Sequence, residues 1–345
     1  MGEPDFSPPE AAIAEMTHAL AEGWTHYGDL NGDPELRQLI ARVAHPESDK
    51  PITSAQVSIT HGATGALTAA ILATVNPGDQ VVIPEPTYSL YADLVHLVGG
   101  VPVFVPLRED HHLDIERTVE EAYDAALVII CNPGNPTGRV MGRDDLTRLG
   151  AQLPPQTLVM VDEAYSGFVY GNEFTSAITI ASLRDRLIIV DTFSKTYAMT
   201  GFRLGYSIAP SGIAEDISLA HRTINGAVNA SVQRAGIAVL KGADDDVRRM
   251  RDEYEDRRAY VVQRLQSIPG VTFNDPEGAF YVFLKYNKPL LSADVTNHLR
   301  NAGLLVRSGF EYGPSGEGHI RLSFASSMED LKLGLDRLEA ALSTL

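Results

Sequence analysis

Residues 126–138 read ALVIICNPGNPTG, an apolar and mostly β-branched run that stops abruptly in a loop of asparagine, proline and glycine. A short apolar run bounded by turn residues reads as a strand buried on both faces. Working outward from it, the same rhythm recurs at 57–60, 80–83, 102–106, 157–161 and 187–192, and helical spacing fills stretches such as 64–75, 87–98 and 143–151. That alternation predicts βαβ units: an α/β fold whose large domain holds a mostly parallel mixed sheet flanked by helices. Toward the amino end, Ser7 to Glu10 reads as a capping box for a helix that Gly23 closes, and a second helix starts at Asp33-Pro34. Past about residue 240 the pattern changes to a long charged helix over 245–265, then short strands near 271–273, 279–284, 304–306 and 320–324 with helices between them and at the end. These predict a smaller α+β domain. The expected division is a large domain at 28–240 and a small domain made of 1–27 and 241–345.

Bulk properties narrow the function. A chain of 345 residues with 44% hydrophobic content can bury a sizeable core. Its formal net charge of −17 argues against nucleic acid as a partner, because phosphate backbones are gripped by clustered Lys and Arg. There is no apolar run long enough to span a bilayer, and the start MGEPDFSPPE lacks the basic and apolar segments of a signal peptide, so the expected location is cytoplasmic with no membrane partner. The single cysteine, Cys131, excludes an internal disulfide and any multi-cysteine zinc cage, and its apolar surroundings predict an inert thiol. No metal site is expected.

Five of the predicted strands end in polar or Gly-rich loops: HGATG at 61–65, PEPTY at 84–88, CNPGNPTG at 131–138, DEAY at 162–165 and SKTYAMTG at 194–201. Open α/β sheets bind ligands at the carboxyl ends of their strands, so these loops are expected to share one pocket. Lys195 follows the strand 187–192, where a desolvated amine can form a Schiff base with an aldehyde. Around it, the hydroxyls of Thr192 and Ser194, the charge of Arg203 and the backbone N–H groups opened by Gly62, Ala63 and Thr64 can take up a phosphate. Asp162 ends an apolar strand and needs a cationic partner, which a protonated pyridine nitrogen would supply. Aldehyde, phosphate and pyridine together describe pyridoxal 5'-phosphate (PLP). Each feature also has an ordinary reading: HGATG as a strand-to-helix turn, Asp162 as a cap or ion-pair partner, Lys195 as a surface charge.

In combination the motifs resemble those of the fold-type I PLP enzymes, in the class I/II aminotransferase group and its aspartate and aromatic branch. Asn135-Pro136-Thr137-Gly138, Asp162-Glu163-Ala164-Tyr165, Ser194-Lys195 and Arg203 carry the resemblance, which runs from GEPDF at 2–6 to IRLSFA at 320–325. It implies that Lys195 binds PLP as a Schiff base and later moves the proton at the substrate Cα, that Asp162 pairs with the pyridine nitrogen, and that Asn135 and Tyr165 hydrogen-bond the phenolic oxygen. It further implies that Tyr88 stacks on the ring, which from position alone is as well read as a core aromatic. Arg321 would bind the substrate α-carboxylate with help from Asn135 and Gly2, although an arginine in an apolar strand more often serves a structural carboxylate. Tyr27 would reach the phosphate of a neighbouring subunit, making a homodimer with shared sites.

The reaction implied is transfer of the amino group of an L-amino acid to a 2-oxo acid by a ping-pong route. An alternative keeps the cofactor and ends in a lyase, cyclase, decarboxylase or oxidase reaction, since cofactor motifs do not encode the fate of the Cα carbanion. Ser308, where relatives commonly have proline, and Phe280 are expected near the pocket wall, and Arg307 and Arg222 are candidates for a distal carboxylate.

Overall fold

The computed structural model describes residues 2–44 and 51–345. Seven strands form the larger sheet: β1 (Val57–His61), β2 (Gln80–Glu85), β3 (Val101–Pro106), β4 (Ala125–Cys131), β5 (Leu158–Asp162), β6 (Leu187–Thr192) and β7 (Leu204–Ile208), in the order β1-β7-β6-β5-β4-β2-β3. The pairs β2–β3, β2–β4, β4–β5 and β5–β6 are parallel, whereas β7 runs antiparallel to both β6 and β1. The expected mixed, mostly parallel sheet is therefore present. The strand β7 is an addition to the sequence reading, which runs from Lys195 through Arg203 as loop.

The central strands are apolar on both faces because both are covered. On one face Val128, Ile130, Val159, Val161 and Ile189 pack in one core; on the other Leu127, Ile129, Met160, Ile188 and Val190 pack in a second. This is what a continuous rather than alternating apolar run demands. Helices α1 (Glu10–Ala21), α2 (Pro34–Ala44), α3 (Gly62–Thr74), α4 (Leu90–Leu97), α5 (Ile115–Glu121), α6 (Arg143–Gln152), α7 (Phe193–Thr196), α8 (Ser211–Asn225) and α9 (Ala230–Gly242) accompany this sheet. Helix α1 packs on α9, which places part of the amino-terminal segment beside the larger sheet. The expected capping box does not form: Pro9 is the N-cap of α1 and no side chain caps it. Gly23 does close the helix, at φ +87°, with its N–H bonded to Leu20 O and that of Trp24 to Ala19 O.

Helix α10 (Asp244–Gln266) begins with three aspartates in its first turn and has Arg264 in its last, an order that complements the helix dipole. It leads to a second, antiparallel sheet of β8 (Val271–Phe273), β9 (Tyr281–Tyr286), β10 (Arg307–Ser308) and β11 (His319–Ser323), ordered β10-β11-β9-β8. Helices α11 (Ser292–Asn301) and α12 (Met328–Ser343) complete this part. The strand expected at 304–306 lies instead at 307–308, and the one expected at 279–284 spans 281–286. The carboxyl ends of the larger sheet and residues of β9, β10 and β11 line the same cleft, and the third core, centred on Phe280, Tyr254 and Phe324, joins the two sheets through Tyr165 and Phe168.

Candidate active site

A cleft of about 430 Å³ lies between the carboxyl ends of the larger sheet and the face of β11. Every strand-end loop named from the sequence reaches it. Ala63 and Thr64 come from the first turn of α3, directly after β1, Tyr88 after β2, Asn135 after β4, Asp162 and Tyr165 at and after β5, and Thr192, Ser194 and Lys195 at and after β6. Arg203, Arg321 and Gly2 complete the wall. Tyr27 does not line it and is 95% exposed.

One end of the cleft is an anion cradle. Helix α3 begins at Gly62, whose φ of +68° turns the chain so that the first N–H groups of the helix open into the cleft. A Cβ on Gly62 would stand 2.7 Å from an Arg203 guanidinium nitrogen, so glycine lets that charge close over the helix start. The β7 backbone passes just as near: a Cβ on Gly205 would lie 2.5 Å from the Gly62 carbonyl carbon. Thr192 Oγ1 donates to Ser194 Oγ at 2.9 Å and accepts from the Ser194 N–H at 3.1 Å, which fixes both hydroxyls at the first turn of α7.

In the middle stand Asp162 and Lys195. Asp162 is 4% exposed, and its carboxylate accepts hydrogen bonds from Tyr91 Oη at 2.7 Å and from the Ala164 N–H at 3.1 Å, neither of them a cation. Burial raises its pKa, which measures how poorly the carboxylate's charge is met by the protein alone. Lys195 Nζ donates to Gly2 O at 2.5 Å. Burial lowers its pKa to about 8, with Arg203 and Arg321 pushing the same way against Glu3 and Asp162. An amine so placed is largely neutral in mildly basic solution and is nucleophilic there.

At the other end Arg321 is 7% exposed and lies 4.0 Å over the Tyr281 ring, with Tyr312 at 5.1 Å. Its Nη1 donates to Asn135 Oδ1 at 2.8 Å, while its Nε is buried with no partner. Buried donors are rarely left bare, so the guanidinium has capacity for a ligand acceptor. No carboxylate side chain pairs with it among the described residues, against the ordinary reading of an arginine in an apolar strand. Tyr165 Oη and Tyr281 Oη lie 2.9 Å apart, and Gly2 fits against them because a Cβ there would fall 2.5 Å from Tyr281 Oη.

Several details depart from the sequence reading. Tyr91, Tyr281 and Tyr312 line the cleft and were not singled out, though Tyr91 sits one helical turn from Tyr88 and Tyr281 is adjacent to Phe280. Phe280 itself is buried in the core, and Ser308 is turned away to bond Ser292 Oγ at 2.7 Å. Its neighbour Arg307 is on the cleft side, directly opposite Arg321 in the β10–β11 ladder and paired with Glu311 at 2.9 Å. Arg222 lies outside the cleft on α8, bonded to Asn31. Cys131 lines the cleft, and burial pushes its thiol up to about 12, so it is a poor nucleophile.

These residues suit a ligand with a phosphate at one end, a ring nitrogen able to carry a proton over Asp162, and a carbonyl beside Lys195. Comparisons with known proteins identify the family. The family model described as aminotransferase class I and II matches residues 1–338. The aspartate aminotransferase of Pyrococcus horikoshii is 34% identical over 99% of this chain and 89% of its own length. The probable N-acetyl-LL-diaminopimelate aminotransferase of Bacillus subtilis is likewise 34% identical, over 98% of this chain and 87% of its own. Among solved structures, the aromatic aminotransferase from Pyrococcus horikoshii superposes with a TM-score of 0.95 at 32% identity, covering 100% of this chain and 95% of that one. No described helix is long and apolar enough to cross a membrane. From its fold, its cleft and these relatives, the chain belongs to the aminotransferase class I and II family and is an amino-transferring enzyme.

Proposed function

We propose that this aminotransferase uses pyridoxal 5'-phosphate to move the amino group of an L-amino acid to a 2-oxo acid in two half-reactions. The observation that carries the reading is Asp162: a buried carboxylate with only neutral hydrogen-bond donors, in the same cleft as the amine of Lys195. When bound, the cofactor supplies an electrophilic carbonyl and an electron-withdrawing pyridinium ring. Arg203, Thr192, Ser194 and the N–H groups of Ala63 and Thr64 hold its phosphate, with Gly62 giving them room. Asp162 would keep a proton on the ring nitrogen, Asn135 and Tyr165 would donate to the phenolic oxygen, and Tyr88 would support the ring. Tyr88 lines the cleft beside Tyr91, whose hydroxyl bonds Asp162.

Lys195 would hold the cofactor through its amine, and that amine, when free, is the group placed to take and give the proton at the substrate Cα. A pKa of about 8 supports that double use, since the same group must both accept and give the proton. Arg321, Asn135 and the Gly2 backbone hold the substrate α-carboxylate and so orient the Cα–H bond toward Lys195. The proposal includes a cytoplasmic homodimer in which Tyr27, exposed and outside its own cleft, serves the cleft of a second copy. It also includes the division into a PLP-binding part at 28–240 and a smaller part made of 1–27 and 241–345, in which Asp5 pairs with Arg257 at 2.8 Å while α1 packs on α9 of the larger part.

Purified holoenzyme mixed with single amino acids should lose its visible cofactor absorbance without any acceptor, and a 2-oxo acid should restore it. Borohydride should fix the cofactor to wild-type chain and leave Lys195→Ala unlabelled. Labelling of the variant, or product formation with no absorbance cycle, sinks the assignment.

A further inference from the structure

Arg321 rests on two supports, Asn135 on one side and Tyr281 on the other, and both lead to the same carboxylate. The loop that carries Asn135 is closed on itself by the bonds Gly134 N–H to Arg139 O, 2.8 Å, and Gly138 N–H to Gly134 O, 2.9 Å. Onto it comes the segment that precedes β9: the N–H groups of Glu277 and Gly278 both donate to Gly138 O at 2.8 Å. The approach is close enough that a Cβ on Gly138 would lie 2.6 Å from Pro276 Cβ. The Glu277 side chain then adds directed contacts. Its Oε1 pairs with Arg139 Nη1 at 2.9 Å, its Oε2 accepts from the Val140 N–H at 3.0 Å, and His112 Nε2 stands 3.8 Å away. Its own carbonyl accepts from the Tyr170 N–H at 2.9 Å, which ties the joint to the chain following Tyr165.

We propose that Glu277 is a positioning residue for the carboxylate-binding end of the cleft, clasping the loop of Asn135 to the strand of Tyr281 so that both supports of Arg321 stay in register. Backbone bonds set where the two segments meet; the carboxylate sets how far the loop can shift along that line. Arg139 strengthens the clasp, because its Nε is already spent on Asp110 O at 2.7 Å and its Nη1 is aimed at Glu277. The anion cradle and Asp162 lie on other strand ends and do not pass through this joint. Loosening it therefore weakens the grip on a carboxylate first and reaches the cofactor only through Asn135, while the cradle, Asp162 and Lys195 keep their hold.

The inference rests on the proposed role of Arg321, and its test keeps the two apart. In full-length holoenzyme, Glu277→Ala and Arg139→Met should each raise KM for the amino donor about tenfold while kcat stays within about twofold, with Glu277→Gln recovering part of the loss by keeping an acceptor for the Val140 N–H. Titration calorimetry with succinate and 3-phenylpropanoate, carboxylates lacking the amino group, should show the same loss of affinity, and the dissociation constant for PLP, which rests mainly on the cradle and Lys195, should change far less. Because Arg139 acts on the loop through Glu277, the double variant should be no worse than Glu277→Ala alone. Unchanged KM and carboxylate affinity with a lowered melting midpoint would make Glu277 a stabilising contact only and overturn the proposal, as would a joint loss of kcat and PLP affinity. If Glu277→Ala fails to fold, Glu277→Gln and Arg139→Lys carry the same readings. Arg321→Lys is measured alongside: if it leaves KM alone, the carboxylate role itself is wrong, and if it raises KM while the Glu277 variants do not, only this inference falls.

Discussion

At the cradle end of the cleft the groups come from successive strand ends of one sheet, between His61 and Arg203, whereas at the arginine end Gly2, Asn135, Tyr281 and Arg321 are gathered from across the chain. The first end is held by short-range geometry. Thr192, Ser194 and Lys195 share one helical turn, and Gly62, Ala63 and Thr64 share another. The second end is held by contacts between the two sheets, through Asn135 to Arg321 and Tyr165 to Tyr281. What differs is where a perturbation should act: on chemistry at one end, on substrate affinity at the other.

The largest effect is expected from Asp162→Asn, which removes the charge facing the ring and should lower kcat by about 10²–10³-fold with the cofactor still bound. A kcat near wild type would mean that the groups on the strand ends do not control the chemistry, and the contrast would collapse. Next, Arg321→Lys replaces a two-pronged grip by a point charge and should cost about 2 kcal/mol, or roughly thirtyfold, in KM with a smaller change in kcat. Steady-state kinetics on the amino donor decides it, and an equal fall in kcat would show that the two ends are not separable.

The smallest effect concerns a neighbour of Asp162. Glu163 is buried against Ser176 Oγ at 2.6 Å and the Ala177 N–H at 2.8 Å, and burial pushes its pKa up to about 8 from 4.5. A carboxyl with a raised folded-state pKa gives stability that is whole below its unfolded value and is lost as pH rises through the folded one. Between pH 5 and 8 the wild-type melting midpoint should therefore fall relative to Glu163→Gln, by about 2–4 °C. Asp191, raised by burial to about 7, continues to titrate in the variant, so the slope should flatten rather than vanish. Parallel curves for the two proteins would show that Glu163 stays ionised in the fold.

The same contrast explains what could be read from the amino-acid order. Cradle residues were legible because each is tied to a strand end by chain neighbours a few positions away, and so was most of the sheet, since its strands are apolar throughout. Tyr91 and Tyr281 were not, because only the folded chain brings one to Asp162 and the other beneath Arg321. Strand β7 escaped because LGYSI is short and has no turn signal after Arg203, its pairing being set by β1 and β6 on either side. The capping box failed on a single atom's chemistry: a proline at the N-cap has no hydroxyl or carboxylate to offer. Ser308 was misread for want of register, since in a strand its side chain must face away from that of Arg307.

The antiparallel setting of β7 also bears on the order in which the molecule assembles. Parallel neighbours in the larger sheet must wait for a crossover helix to form and dock, but β6 and β7 are joined by the single excursion 193–203 and meet at Thr192 opposite Gly205. Closing a short excursion loses less chain entropy than closing a long one, and contacts near in sequence form sooner. Lys195 and Arg203 both sit on that excursion. The amine and the guanidinium are thus brought together by the most local pairing in the sheet, before the distant segments that bring Arg321 arrive.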